Sequence, residues 1–128
     1  MLYNHARIVQ LLRCSKYDFQ NGGPSSEEVA ELLNEEEEWE IIFVYMANYL
    51  NLLQNTFEYS NNIKVGRICQ FLVDLCNTFS RYYNRIHIIK KSEHLKPLQN
   101  ARLHFIAMIK IILEHGLMLM DISCLEQM

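Results

Sequence analysis

Residues 68–85, ICQFLVDLCNTFSRYYNR, decide the fold class. Apolar side chains recur in this stretch at steps of three and four, which is the period of one face of an α-helix. Strand-like alternation of apolar and polar residues is almost absent from the 128-residue chain, and only four glycines and two prolines interrupt it. The pattern predicts an all-α domain. The inward face of this helix consists of Ile68, Phe71, Leu72, Leu75, Phe79 and Tyr82.

The same period predicts a helical bundle of about five helices, with residues 68–85 in the fourth. The first covers residues 2–16, and the short second helix begins at a capping box made by Ser25 and Glu28. Asn34 is the expected N-cap of the third helix. The expected buried stripe of the third helix is Trp39, Ile42, Phe43, Met46, Leu50, Leu53 and Phe57.

Pro97 opens the predicted fifth helix, and Gly116 marks a weak point in its last turn. We expect the apolar tail, residues 121–128, to dock back onto the bundle. Four glutamates, residues 35–38, fall in the first turn of the third helix, where the helix dipole favours negative charge. We interpret the acidic run in this way rather than as a metal or acid–base site.

Composition excludes several classes of protein. With 50% hydrophobic and 21% charged residues, the chain is not intrinsically disordered, and its length fits one domain. The longest apolar stretch, residues 41–53, contains Asn48 and Asn51 and is too short to span a bilayer. The N-terminus does not resemble a signal peptide. Four scattered cysteines without a CxxC pair indicate a reducing compartment, so we expect a soluble cytoplasmic protein.

The sequence contains no motif for catalysis. A glycine-rich phosphate loop, a GxSxG elbow, an HExxH motif and a calcium loop are all missing, and the histidines have no paired spacing for a metal. We therefore expect no enzymatic activity in these residues, no cofactor and no metal site.

Charge is distributed unevenly along the chain. Residues 1–60 carry three basic against ten acidic side chains, whereas residues 64–110 carry nine basic against two acidic ones. A basic segment within a chain of net charge −3 suggests a polyanionic partner. The fourth helix concentrates this signal, because cations at steps of three, four and seven are interleaved with tyrosines, a combination that single-stranded nucleic acids bind. The residues expected on this face are Lys64, Arg67, Asp74, Thr78, Arg81 and Arg85.

Four stretches in order resemble one family. YNHARIVQLLR (residues 3–13) is similar to the Y-x-H-A-R signature that opens the anticodon-binding domain of arginyl-tRNA synthetases. EEEEWEIIFVYMANYL (35–50), LVDLCNTFSRYYNRIHII (72–89) and NARLHFIAMIKIILEHGLMLMDISCLEQM (100–128) resemble its later helices and its terminus, with Asp121 and Leu125 in place of the usual Gly and Pro. The chain is thereby identified as a member of the DALR anticodon-binding family, whose fold is an all-α bundle.

The resemblance implies which residues bind tRNA. Tyr3 and Tyr83 match aromatic positions that meet anticodon bases in the family, His87 matches a further stacking position, and Met128 matches the terminal methionine that closes the pocket. His5 and Arg7 match signature positions that bind RNA or hold the first helix in place, and Tyr82 and Phe79 are expected in the core. With the cations of the fourth helix, the candidate tRNA-binding residues are Tyr3, His5, Arg7, Lys64, Arg67, Arg81, Tyr83, Arg85, His87 and Met128.

The resemblance also implies a function. Residues 1–128 are expected to be one such domain, the C-terminal part of a longer protein, that grips the anticodon arm of arginine tRNAs. The string FSRYYNRIHII is closer to a stand-alone relative than to a typical synthetase, which implies an adaptor that presents tRNA to a methyltransferase forming 3-methylcytidine. The alternative is the anticodon-binding domain of an arginyl-tRNA synthetase. A third interpretation, a protein-interaction bundle without RNA binding, is favoured by the net negative charge.

Overall fold

The computed structural model describes residues 2–15, 31–58, 65–86 and 95–127, and within them the side chains of residues 3–15, 31–55, 66–86 and 95–120. Phe57, which the sequence predicts in the buried stripe, lies outside the described side chains. Every regular element in these ranges is helical: α1 (Leu2–Ser15), α2 (Glu36–Glu40), a π-helical segment (Ile41–Met46), α3 (Tyr49–Glu58), α4 (Val65–Arg85) and α5 (Lys96–Gln127). The all-α prediction is confirmed. The capping box predicted at Ser25 and Glu28 lies outside the described residues.

Helix α4 lies at the centre of the bundle and packs against α2, the π-helical segment, α3 and α5, while α1 packs against α5. All of its predicted inward side chains are fully buried except Phe71, which is partly buried against the same core. Helix α1 contributes Ile8, and α5 contributes the opposite wall of the core. The buried apolar residues of α5 are Ala101, Leu103, Phe105, Ile106, Ala107, Ile109 and Leu113.

The single third helix expected from the sequence is broken into three pieces. Within Ile41–Met46 the backbone widens into π-helix, so that the Ala47 N–H donates to the carbonyl of Ile42, five residues back, at 3.0 Å. A π-turn shifts all later side chains around the helix axis. The predicted stripe is therefore wrong in part: Ile41 is fully buried, whereas Phe43 and Leu50 are exposed.

The N-terminus of α2 also differs from the prediction. Glu35, rather than Asn34, is the N-cap, and its backbone N–H donates to Oε1 of Glu38 at 2.9 Å. Glu38 is fully buried, so the acidic run is not only a solvated first turn. Its Oε2 accepts hydrogen bonds from the Tyr82 hydroxyl at 2.6 Å and from Nε of Arg102 at 3.2 Å. Burial, together with the adjacent Glu38 carboxylate, raises the pKa of Tyr82 well above its usual range.

Helix α5 is longer than predicted. The helix continues through Gly116 to Gln127, so the backbone of residues 121–127 extends the helix instead of forming a separate tail. Gly116 is not a weak point but a close contact between helices, because a Cβ at this position would lie 2.7 Å from Cδ1 of the buried Leu72.

One stretch of α5, Lys96–Met120, is long and apolar enough to cross a membrane by length and composition. The core helix of a bundle meets the same criterion, and this stretch supplies most of the buried wall opposite α4. Packing against α1 and α4 buries 39% of its most apolar window.

We expect Glu38→Ala to lower the free energy of unfolding by about 3–5 kcal/mol. The buried Tyr82 hydroxyl loses its acceptor, and the buried Arg102 guanidinium keeps only the more distant Glu35 carboxylate, at 3.7 Å. Glu36→Ala, in the same helix but exposed, is the matched control and should change the stability by less than about 0.5 kcal/mol. Urea unfolding followed by circular dichroism measures both. Equal, small losses would contradict a structural role for the Glu38 carboxylate.

Candidate functional site

Seven of the ten candidate binding residues lie in described parts of the chain. Lys64, His87 and Met128 fall outside them. Helix α1 carries three of the seven and α4 carries four: Tyr3, His5 and Arg7, and then Arg67, Arg81, Tyr83 and Arg85.

Three of these residues, two on α1 and one on α4, form one stack. The guanidinium carbon of Arg7 lies 4.7 Å from the ring centroid of Tyr3 and 4.3 Å from that of Tyr83. At these distances each ring attracts the cation, and such contacts contribute about 0.5–1 kcal/mol at exposed sites. We call Tyr3, Arg7 and Tyr83 the tyrosine–arginine stack.

Local helix geometry explains the stack. Tyr3 and Arg7 are four residues apart on α1, so their side chains are neighbours on one face. On α4, Tyr82 points into the core and the adjacent Tyr83 lies at its edge, half-buried and 5.9 Å from the ring of the buried Phe79. The assignment of Tyr82 and Phe79 to the core is confirmed. Tyr3 remains 69% exposed, so most of its ring is open to solvent.

Asn4 links α1 to α4 beside the stack, and the sequence analysis assigns no role to this residue. Its side chain is buried, and its Oδ1 accepts a hydrogen bond from the Ser80 hydroxyl of α4 at 3.1 Å. The same oxygen lies 3.5 Å from a terminal guanidinium nitrogen of Arg7, at the long limit for a hydrogen bond. The signal that indicates its burial is its spacing of four residues from the buried Ile8.

His5 connects α1 to α5. Its Nε2 lies 2.8 Å from Oε1 of Glu114, and this hydrogen bond is the main reason that the pKa of Glu114 lies below its usual value. Since Glu114 is itself near Lys110, at 3.6 Å, His5 belongs to a small network on the bundle surface. This contact fits the role of holding the first helix in place.

The two distal arginines of α4 face carboxylates of the acidic run. Arg85 donates from Nε to Oε1 of Glu37 at 3.1 Å and from a terminal nitrogen to Oε2 of Glu35 at 2.8 Å. These bonds raise the pKa of Arg85, and the hydrogen bond from Arg85 lowers the pKa of Glu37. Arg81 lies 3.7 Å from Glu40. The positive charge at this end of α4 is therefore largely balanced within the protein.

The rest of the expected cationic face is less uniform than its spacing suggests. Thr78 is buried, with its hydroxyl 3.4 Å from that of Tyr45, so it does not lie on an exposed face. Asp74 accepts from the Gln70 amide at 2.9 Å. Arg67 is exposed, and within the described part of the chain no carboxylate lies within ion-pair distance of it.

The stack suits an unpaired nucleobase. An exposed tyrosine ring can stack on any base, and an adjacent guanidinium attracts the backbone phosphate next to that base. Where the structure describes side chains, no group of three or more His, Cys, Asp and Glu is placed to hold a metal, and every buried side-chain polar atom has a hydrogen-bond partner. The described residues therefore offer a binding surface, and nothing in them assembles a nucleophile with a base.

Comparison with known proteins gives one consistent answer. The family model of the DALR anticodon binding domain matches residues 1–128. DALR anticodon-binding domain-containing protein 3 of Rattus norvegicus is 29% identical over 138 residues, covering 98% of this chain and 26% of the relative. The arginine–tRNA ligase of Crocosphaera subtropica is 33% identical over 129 residues, covering 100% of this chain and 20% of the ligase.

A second ligase, from Streptococcus uberis, is 30% identical over 126 residues, covering 98% of this chain and 20% of the ligase. The chain thus spans about a quarter or a fifth of the length of these relatives. No solved structure matches it.

We expect Asn4→Ala to destabilise the protein by about 1–3 kcal/mol relative to Asn77→Ala, because the Ser80 hydroxyl then loses its buried acceptor. Asn77 is exposed on α4, and its replacement brings the same gain in helix propensity, so the difference between the two variants isolates the contact. Urea unfolding of both variants gives the comparison. Identical changes would show that Asn4 does not tie α1 to α4.

Proposed function

This chain belongs to the DALR anticodon-binding domain family, and from that membership we propose that it grips the anticodon arm of arginine tRNAs. The observation that carries the proposal is the tyrosine–arginine stack. Two tyrosines that the family resemblance assigns to anticodon bases come from different helices, α1 and α4, and both lie against one guanidinium. Such a domain binds and does not itself catalyse a reaction.

Each part of the stack has a task in this proposal. The exposed Tyr3 ring stacks on a base that is splayed out of the anticodon loop, and the Tyr83 ring, 4.3 Å from the Arg7 guanidinium carbon, helps to hold Arg7 in place. Arg7 has no carboxylate partner among the described residues, so its charge is available to a phosphate. Lys64, Arg67 and Arg81 supply further phosphate contacts, and His87 and Met128 complete the pocket.

Arg85 contributes less to phosphate binding than the unpaired cations do. Its guanidinium already binds Glu35 and Glu37, and a phosphate must compete with both carboxylates for it. We therefore assign the main electrostatic contribution to tRNA binding to Arg7, Lys64 and Arg67 rather than to Arg85.

For the whole protein we propose a cytoplasmic adaptor that presents arginine tRNAs to a methyltransferase forming 3-methylcytidine in the anticodon loop. The similarity to DALR anticodon-binding domain-containing protein 3 over 98% of the chain supports this role. The identity of 33% to an arginine–tRNA ligase favours a second candidate, the anticodon-binding part of a synthetase whose active site lies outside these residues. Both roles require the same grip on tRNA.

The affinities of the purified protein for arginine and non-arginine tRNAs, measured across a salt series, test the proposed tRNA binding. We expect preferential binding of arginine tRNAs with an affinity that falls as salt rises, by a slope of between about −0.7 and −0.9 in log K against log salt for each phosphate neutralised. A slope near zero, equal affinity for all tRNAs, or no binding at low salt would contradict the proposal.

Tyr3→Ala should weaken binding of arginine tRNA by about 1–3 kcal/mol, or one to two decades in Kd, because one base loses its stacking partner. The melting temperature should fall by a few degrees at most, since the ring is 69% exposed and its contact with Arg7 contributes only about 0.5–1 kcal/mol. Phe43→Ala is the matched control, an aromatic ring that is 61% exposed on a different element. If Phe43→Ala weakens tRNA binding as much as Tyr3→Ala does, the stack is not the site.

A further inference from the structure

The outward side of α2, the π-helical segment and α3 carries apolar side chains that the bundle does not bury. Phe43 is 61% exposed, Val44 51% and Leu50 72%, and Ala47 between them is also exposed. These are three of the six large hydrophobic side chains that remain exposed in the described residues. We call Trp39, Phe43, Val44, Ala47 and Leu50 the apolar face.

The apolar face has an aromatic surface that is already assembled. The rings of Trp39 and Phe43 stack with their centroids 5.3 Å apart and their planes 13° from parallel. Burial of rings of this kind at the centre of an interface supplies much of the binding energy in protein complexes. A pre-formed pair reduces the entropy that a partner must overcome on binding.

The inner side of the same segment is held firmly, so the apolar face is a fixed surface. Ile41 is fully buried, and Tyr45 packs edge-on against Phe71 of α4 with centroids 5.4 Å apart. On the outer side the Asn48 amide donates to the carbonyls of Phe43 and Val44, at 3.2 and 2.9 Å. The π-turn that exposes Phe43 is thus stabilised from both sides. π-Turns inside helices frequently occur at functional sites.

Charge around the apolar face selects the kind of partner. On the helix that carries Trp39, Glu36 is exposed and Glu40 is half-exposed, and the sequence has no lysine or arginine between Lys16 and Lys64. Among the described residues, Arg81 is the one cation within ion-pair distance of these two glutamates, at 3.7 Å from Glu40. A polyanion such as RNA is repelled by this arrangement, whereas basic side chains are attracted to it.

We propose that the apolar face is a docking site for a protein partner, specifically a helical segment with leucine or tryptophan anchors flanked by lysines and arginines. The anchors pack on Trp39, Phe43 and Leu50, in the way that an amphipathic helix lies on an apolar surface. The flanking cations meet Glu36 and Glu40. Because the tyrosine–arginine stack is built on α1 and α4, the two surfaces belong to different elements.

The test uses the full chain and two synthetic peptides. One is a short amphipathic helix of leucine, tryptophan and lysine, and the other has glutamate in place of every lysine. We expect the cationic peptide to bind, to shift the amide NMR signals of Trp39 and Phe43, and to lose about tenfold in affinity with either Phe43→Ser or Leu50→Ser. The acidic peptide should not bind.

Ile111→Ser is the matched control, because Ile111 is 50% exposed on α5. Circular dichroism of each variant checks that the bundle is intact. Absence of binding by the cationic peptide, equal binding of the acidic one, or an equal loss with Ile111→Ser would overturn the proposal. So would tRNA-induced shifts at Trp39 and Phe43, since they would assign this face to RNA. Loss of tRNA binding in Tyr3→Ala is a separate readout, so the two proposals fail independently.

Discussion

A buried carboxylate organises this bundle. Glu38 lies with no solvent exposure between three helices, where it caps α2 through the backbone of Glu35 and binds Tyr82 of α4 and Arg102 of α5. A buried charge without partners costs several kcal/mol, so the three elements must stay in register for the carboxylate to be satisfied. The same packing positions a residue of the candidate site. Tyr82 is held in the core by the carboxylate, and its neighbour Tyr83 is thereby presented to Arg7.

Periodicity predicts the all-α class and the central helix α4, because a helix buries one apolar face and the spacing of three and four is visible in the sequence. It also assigned Tyr82 and Phe79 to the core. It could not show which of four consecutive glutamates turns inward, since the four are chemically identical and only the positions of Tyr82 and Arg102 select Glu38. Nor could it show the π-turn, which depends on backbone hydrogen bonds and moves Phe43 and Leu50 from the expected buried stripe to the surface.

The candidate site illustrates the difference between charge along the chain and charge in space. Counted in sequence, the acidic first half and the basic second half look like separate surfaces. In the fold, Glu35 and Glu37 neutralise Arg85, and Glu40 lies beside Arg81, so part of the basic segment serves to hold α2 against α4. Family resemblance, by contrast, placed Tyr3 and Tyr83 in one site although they lie far apart in sequence, and the stack on Arg7 brings them together.

The same ion pairs separate two kinds of surface on one small domain. Because Arg81 and Arg85 are paired with these carboxylates, Arg7 and Arg67 are the candidate cations that have no carboxylate partner among the described residues. Glu36 remains exposed on the helix that carries Trp39. A surface that stacks bases and a surface that attracts basic, apolar protein segments repel each other's ligands. If the proposed docking face and the tyrosine–arginine stack are both occupied, this separation allows the two partners to bind together, since a single mixed surface would make them compete.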